Sequence, residues 1–145
     1  APGPFSRFAG IDRTLVLLSG AGMRLASDDG APLTLDAPLA VARFAGETAI
    51  EAELIDGPTR DFNLMVRRGE ASGALEIWRG AGTHTLDADT ALIFCAEGTL
   101  EVTLAGEPPV TLAAMDTLRI DAPRALACTV AGEGAAIAIR IRSIA

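Results

Sequence analysis

Arg13 and the set Asp61, Asn63 and Arg67 are the residues whose types and spacing could do chemistry in this chain. Asp12-Arg13 stands immediately before the apolar run Thr14 to Leu18. An arginine at the mouth of a buried strand can sit in a barrel opening and grip a carboxylate through two parallel N–H···O bonds. The plainer alternative is an exposed arginine at a strand end. The stretch Asp61-Phe62-Asn63-Leu64-Met65-Val66-Arg67-Arg68-Gly69 follows Asp56-Gly57-Pro58 and alternates. Phe62, Leu64 and Val66 point to one face of a strand, and Asp61, Asn63, Met65 and Arg67 to the other. If that second face lines a cavity, its acid, amide and base would orient one another and a polar ligand. If it does not, Asp61 caps the Gly57-Pro58 turn and Asn63 satisfies neighbouring backbone groups.

Other chemistries find little support. Metal sites in small barrels need several imidazoles converging with a carboxylate, and His84 is the one histidine. In Gly82-Thr83-His84-Thr85-Leu86 it reads as a solvated or hydrogen-bonded loop residue. The acids form no Asp-x-Asp-x-Asp calcium loop. One histidine and no Gly-x-Ser-x-Gly elbow leave a hydrolase triad without a basis. Cys95 has no nearby base to lower its pKa. Gly20-Ala21-Gly22 lacks the Lys-Ser/Thr of a phosphate loop and reads as a turn between strands. No catalytic residue, metal ligand or cofactor is assigned.

Strand signals position these residues, and helix signals are almost absent. Thr14 to Leu18 suits a strand buried on both sides. Met23-Arg24-Leu25 runs toward Ser27-Asp28-Asp29-Gly30, whose Asp-Gly end favours a hairpin. Leu33 and Leu35, Ala49 to Ile55, and Leu75 to Trp78 continue the series. The second half repeats the pattern with Ala91 to Ala96, Leu100 to Leu104, Val110 and Leu112, Leu118 and Ile120, Leu126 to Val130, and Ile137 to Ile141. About a dozen short strands with frequent Gly and Pro turns indicate an all-β sandwich or barrel. Pro32-Leu33-Thr34-Leu35 lines up with Pro109-Val110-Thr111-Leu112, and the same offset of about 77 brings Val41 onto Leu118. A duplicated small jelly roll would look like this, and the halves are drawn at 1–70 and 71–145.

A chain of 145 residues that is 50% hydrophobic can bury a substantial core. Its net charge of −7 argues against a nucleic-acid partner. All twelve basic residues are arginine, so the choice of Arg over Lys is uninformative at any one site. No apolar window reaches the length of a membrane span, and Ala1-Pro2-Gly3-Pro4 lacks the regions of a signal peptide. Cys95 and Cys128 lie inside apolar strand patterns and read as reduced core residues. A cytoplasmic protein is expected.

The motifs also carry a resemblance. Phe5-Ser6-x-Phe8-x-Gly10-x-Asp12-Arg13-Thr14-Leu15, then Leu18-x-Gly20-x-Gly22-Met23, Phe44-x-Gly46 and Leu54-x-Asp56-Gly57-Pro58-x-x-Asp61-Phe62-Asn63-Leu64-Met65 resembles the HutD/Ves family. The match spans the first half in order, and Gly-Pro-x-x-Asp-Phe-Asn-Leu-Met is its most specific part. The resemblance implies a bicupin, two small jelly-roll-like β-barrels related by duplication. It also implies an accessory role in histidine utilisation rather than a pathway enzyme. A small acidic, formylglutamate-like ligand and a homodimer come with it. Arg13 would be the ligand-facing arginine, with Asp61 and Asn63 nearby. The family's usual earlier segment with a Trp-Lys-Asn-Gly-Gly-Gly-like stretch does not precede Ala1, which weakens the transferred site. The reading is a non-enzymatic carboxylate-binding protein; the alternative is a metal-free isomerase or hydrolase of a histidine-derived metabolite, with Asp61 as general base.

Overall fold

The computed structural model describes residues 3–27 and 30–144, so Asp28 and Asp29 of the expected hairpin turn lie outside the described residues. Every regular element among the described residues is a β-strand. Contacts divide the chain into two units, Ala1–Glu70 and Ala71–Ala145.

The first unit contains β1 (Gly3–Pro4), β2 (Ile11–Ser19), β3 (Met23–Ser27), β4 (Leu33–Leu35), β5 (Val41–Ala45), β6 (Ile50–Leu54) and β7 (Arg60–Arg67). They form two antiparallel sheets, ordered β1-β6-β3-β4 and β5-β2-β7. On β2, Arg13 pairs with Phe44 of β5 and Met65 of β7, Leu15 with Ala42 and Asn63, and Leu17 with Asp61. Residues opposite each other in an antiparallel ladder share a face. Leu15, Leu17 and Ala42 are buried on that face against Met23, Leu25, Leu35 and Ile50 of the other sheet. The polar side of β7 therefore shares the face of Leu15 and Leu17, beside Arg13, but β7 is an edge strand and leaves Asn63, Met65 and Arg67 exposed there. Val16 is as buried as Leu15 and Leu17, so β2 is covered on both faces, as its unbroken apolar run predicts.

The second unit contains β8 (Ala71–Arg79), β9 (Gly82–Leu86), β10 (Thr90–Glu97), β11 (Thr99–Leu104), β12 (Val110–Ala113), β13 (Thr117–Asp121), β14 (Leu126–Ala131) and β15 (Ala135–Ser143). Its sheets run β13-β10-β15-β8 and β12-β11-β14-β9. Trp78, Ile93, Leu100, Val102, Leu112 and Val130 are among its core residues. Both cysteines are free and buried there, and burial pushes each thiol pKa up.

Ladder registers refine the sequence repeat. Met23, Leu25 and Leu35 match Leu100, Val102 and Leu112 at the offset of 77, all buried core positions. In β2 and β10 the shared irregularities, between Leu17 and Ser19 and between Cys95 and Glu97, set the offset at 78. Leu15 then matches Ile93, whose partner is Leu118, while the partner of Leu15 is Ala42. So Ala42, not Val41, corresponds to Leu118. A slip of one residue exchanges the two faces of a strand, which a pattern of short apolar runs cannot resolve.

His84 also departs from expectation. It lies within β9, opposite Cys128, and not in a loop. Its ring stacks on Trp78 with centroids 3.8 Å apart and planes 2° from parallel. Thr83-His84-Thr85 has no apolar alternation, and its strand character comes from the ladder with β14.

Candidate functional site

Arg13 is 7% exposed, the one charged side chain among the buried described residues. Its Nη2 donates to Asn63 Oδ1 at 2.8 Å, and its Nη1 donates to the Ser6 carbonyl at 3.4 Å. Its Nε is buried without a hydrogen-bond partner. Three phenylalanines surround the guanidinium, with Cζ at 5.5 Å from the Phe5 ring, 5.3 Å from Phe8 and 5.0 Å from Phe44. Cation–π attraction of about 0.5–2 kcal/mol per ring offsets part of the cost of desolvating the charge. It does not use the N–H groups, which still need acceptors. Among the described residues no carboxylate forms an ion pair with Arg13, although seven other arginines do find one. Burial lowers the Arg13 pKa from its ordinary value, and the side chain keeps its charge.

Asp61 and Asn63 come from β7, two residues apart on the inward face. Asn63 is exposed and spends its carbonyl on Arg13. Asp61 is partly buried; its Oδ1 is covered and has no partner. Burial pushes its carboxyl pKa up, against a hydrogen bond from Thr59 that lowers it. The structure thus brings Arg13 and Asn63 into contact and sets Asp61 one inward position further along. Asp61 and Arg13 form no ion pair. Arg67, the base of the alternating face, is exposed and pairs with Glu70 at 3.5 Å. Asp12 points away from Arg13 and binds Arg68, which also holds Glu47.

The aromatic box is what residue-by-residue reading missed. Phe5, Phe8 and Phe44 are three of only five phenylalanines in a chain that is 4% aromatic. That concentration was the available signal. Phe5 also lines a cavity of about 430 Å³ with Arg7, Ser27, Ile50 and Glu51. Phe44 lines a second, of about 160 Å³, with Leu25, Leu33, Ala42 and Ile50. No group of three or more His, Cys, Asp or Glu among the described residues could hold a metal ion. Among the described residues no helix is long and apolar enough to cross a membrane.

Two antiparallel β-sandwich units, related by repeat and without a helix among the described residues, define a bicupin. Residues 1–138 match the HutD family, and the chain belongs to that family. It is 35% identical over 119 residues to a 21.2 kDa protein encoded in the region 3′ of hutC in Pseudomonas putida, covering 82% of this chain and 62% of that protein. It is 36% identical over 76 residues to protein Ves of Escherichia fergusonii, covering 52% of this chain and 39% of Ves. The chain thus spans less than two thirds of the length of either relative. The solved structure of HutD from Pseudomonas fluorescens SBW25 superposes with a TM-score of 0.83 at 31% identity, over 99% of this chain and 74% of that one.

Proposed function

We propose that this protein is a non-enzymatic, cytoplasmic bicupin that binds a small carboxylate and modulates histidine utilisation, with no cofactor. Arg13 takes the carboxylate, Asn63 holds the guanidinium in place, and Asp61 accepts a hydrogen bond from the ligand. The observation that carries this reading is the buried, ion-pair-free Arg13 with an unused Nε. A buried charge without a counter-ion is costly, and an anionic ligand would supply the missing partner. Membership in the HutD family and a relative encoded beside hutC support the link to histidine utilisation. The ligand implied by the family resemblance is formylglutamate-like, and a homodimer is the proposed assembly. Calorimetric titration with formylglutamate, urocanate and glutamate tests the site. Binding of one of them that disappears in Arg13→Ala is expected; binding unchanged by that substitution removes Arg13 from the site.

Asp61 favours a second reading, a metal-free isomerase or hydrolase with Asp61 as general base. Its covered, unpartnered Oδ1 and raised pKa suit a proton acceptor. That reading requires turnover that vanishes in Asp61→Asn while the fold is kept. Binding without product formation counts against it.

A further inference from the structure

We infer that the ligand of the Arg13 site is a monocarboxylate carrying an apolar ring, rather than a dicarboxylate. This rests on the proposed binding role of Arg13 and departs from the formylglutamate-like dicarboxylate that the family resemblance implies.

Charge is the first argument. On the inward face around Arg13 the charged neighbour is Asp61, so one cation and one acid share the site. Arg67 beyond Met65 is exposed and already paired with Glu70. Arg7, across Phe5, shares its cavity with Glu51. A first carboxylate finds Arg13; a second finds no buried cation free of an acid among these groups. It would be desolvated beside Asp61 or remain in water, where an exposed pairing contributes little.

The second argument is what surrounds the guanidinium once its two polar contacts are counted. Phe5 and Phe44 flank it on the core side. Phe8, whose ring lies over the guanidinium, is 38% exposed and covers it toward solvent, and Met65, directly opposite Arg13 in the ladder, is 42% exposed. A ligand reaching Arg13 displaces part of that cover. A polar body would leave the phenylalanine rings against water, while an apolar ring restores the seal and stacks on them. Space for such a ring adjoins the box. The cavity of about 160 Å³ begins at Phe44 and is walled mainly by Leu25, Leu33, Ala42 and Ile50, with Ser27 and Arg43 also lining it. A volume of roughly 150 Å³ is enough for one aromatic ring.

Titration of the protein with acetate, glutarate and trans-cinnamate separates the possibilities. Cinnamate should bind about tenfold more tightly than glutarate, the difference expected from burying a ring against apolar walls. Phe8→Ala should erase most of that preference; Phe8→Leu should retain it. Leu33→Trp, at a partly exposed wall of the cavity, should weaken cinnamate and spare acetate. Thermal melts of each variant establish that the fold is kept. Glutarate binding as tightly as cinnamate overturns the inference and leaves the Arg13 site standing. Silence from all three probes removes the Arg13 site and the inference with it.

Discussion

Asn63 Oδ1 accepts the 2.8 Å hydrogen bond from Arg13 Nη2 along a diagonal of the β2–β7 ladder, since the residue directly opposite Arg13 is Met65. The arginine leans along β7, and a neutral amide occupies the place where a structural arginine would have an acid. That choice keeps the charge available. Asn63→Asp should therefore raise stability slightly by completing an ion pair and should reduce carboxylate affinity by about tenfold or more. Asn63→Ala should instead cost about 1–3 kcal/mol by leaving the guanidinium short of an acceptor. Urea midpoints and calorimetry on the two variants check both directions. A stable Asp variant with full ligand affinity would show that Arg13 is purely structural.

Asp61 gives the opposite pH response from most carboxylates. Burial raises its folded pKa above the unfolded value, so between those values the folded state binds more protons than the unfolded one. Its ionisation then costs stability, and that cost is fully present above the folded pKa and vanishes as pH falls below the unfolded one. Asp61→Asn should be more stable than the parent at neutral pH, with the difference shrinking as the solution is acidified. Paired denaturation series at several pH values measure it. A difference that grows on acidification would mean that a cation holds Asp61 ionised.

Glu47 has the ordinary sign. Hydrogen bonds from Arg68 and from the Gly10 backbone lower its pKa from 4.5 to about 2. The unfolded state takes up the proton first as pH falls, so the stability contributed by Glu47 is present above 4.5 and is lost on the way down to about 2. Both partners are exposed, and salt should screen the effect. Glu47→Gln should flatten the acid limb of the stability profile, and moderate salt should flatten it in the parent. An acid limb unchanged by Glu47→Gln would assign it to other carboxylates.

Much of this is legible in the amino-acid sequence. β2 and β7 announce themselves because an unbroken apolar run and a clean alternation are strong signals, and the GPxxDFNLM string named the family. β5 and β9 were not legible: Val41-Ala42-Arg43-Phe44-Ala45 and Thr83-His84-Thr85 become strands through neighbours far along the chain. The box around Arg13 was missed for the same reason. Phe5 and Phe8 precede β2, Phe44 lies on β5, and only ladder registers bring them to one guanidinium.

Gly46 links the fold to that box. A Cβ there would meet the Phe8 carbonyl at 2.3 Å and the Ile11 carbonyl at 2.9 Å. The same backbone approach lets Phe8 N–H donate to the Gly46 carbonyl at 2.8 Å and Gly46 N–H to Ile11 at 2.6 Å. Gly46→Ala must push the Phe8 segment outward. It should destabilise the protein by about 1–3 kcal/mol, typical of overpacking, and uncover Arg13. Loss of the cinnamate preference together with a lower melting temperature is the expected pair of results. A variant with parental stability and binding would show that the segment yields without moving Phe8.

Trp78 tests whether the second unit tolerates an orphaned donor. Its indole is 4% exposed, stacked on His84, and its Nε1 is buried without a hydrogen-bond partner. An unsatisfied buried N–H costs about 1–3 kcal/mol, so the ring must be retained for its packing. Trp78→Phe deletes the donor and keeps an aromatic face for His84. It also removes ring volume, and the cavity left behind costs a similar amount. The two effects oppose, and the net change should lie within about 1 kcal/mol. Trp78→Ala keeps only the loss and should cost about 3–5 kcal/mol. Urea unfolding followed by circular dichroism compares them, since the Phe variant has no other tryptophan to report. If the Phe variant is destabilised as severely as the Ala variant, Nε1 holds a partner, such as a buried water, and the indole is kept for its hydrogen bond as well as its bulk.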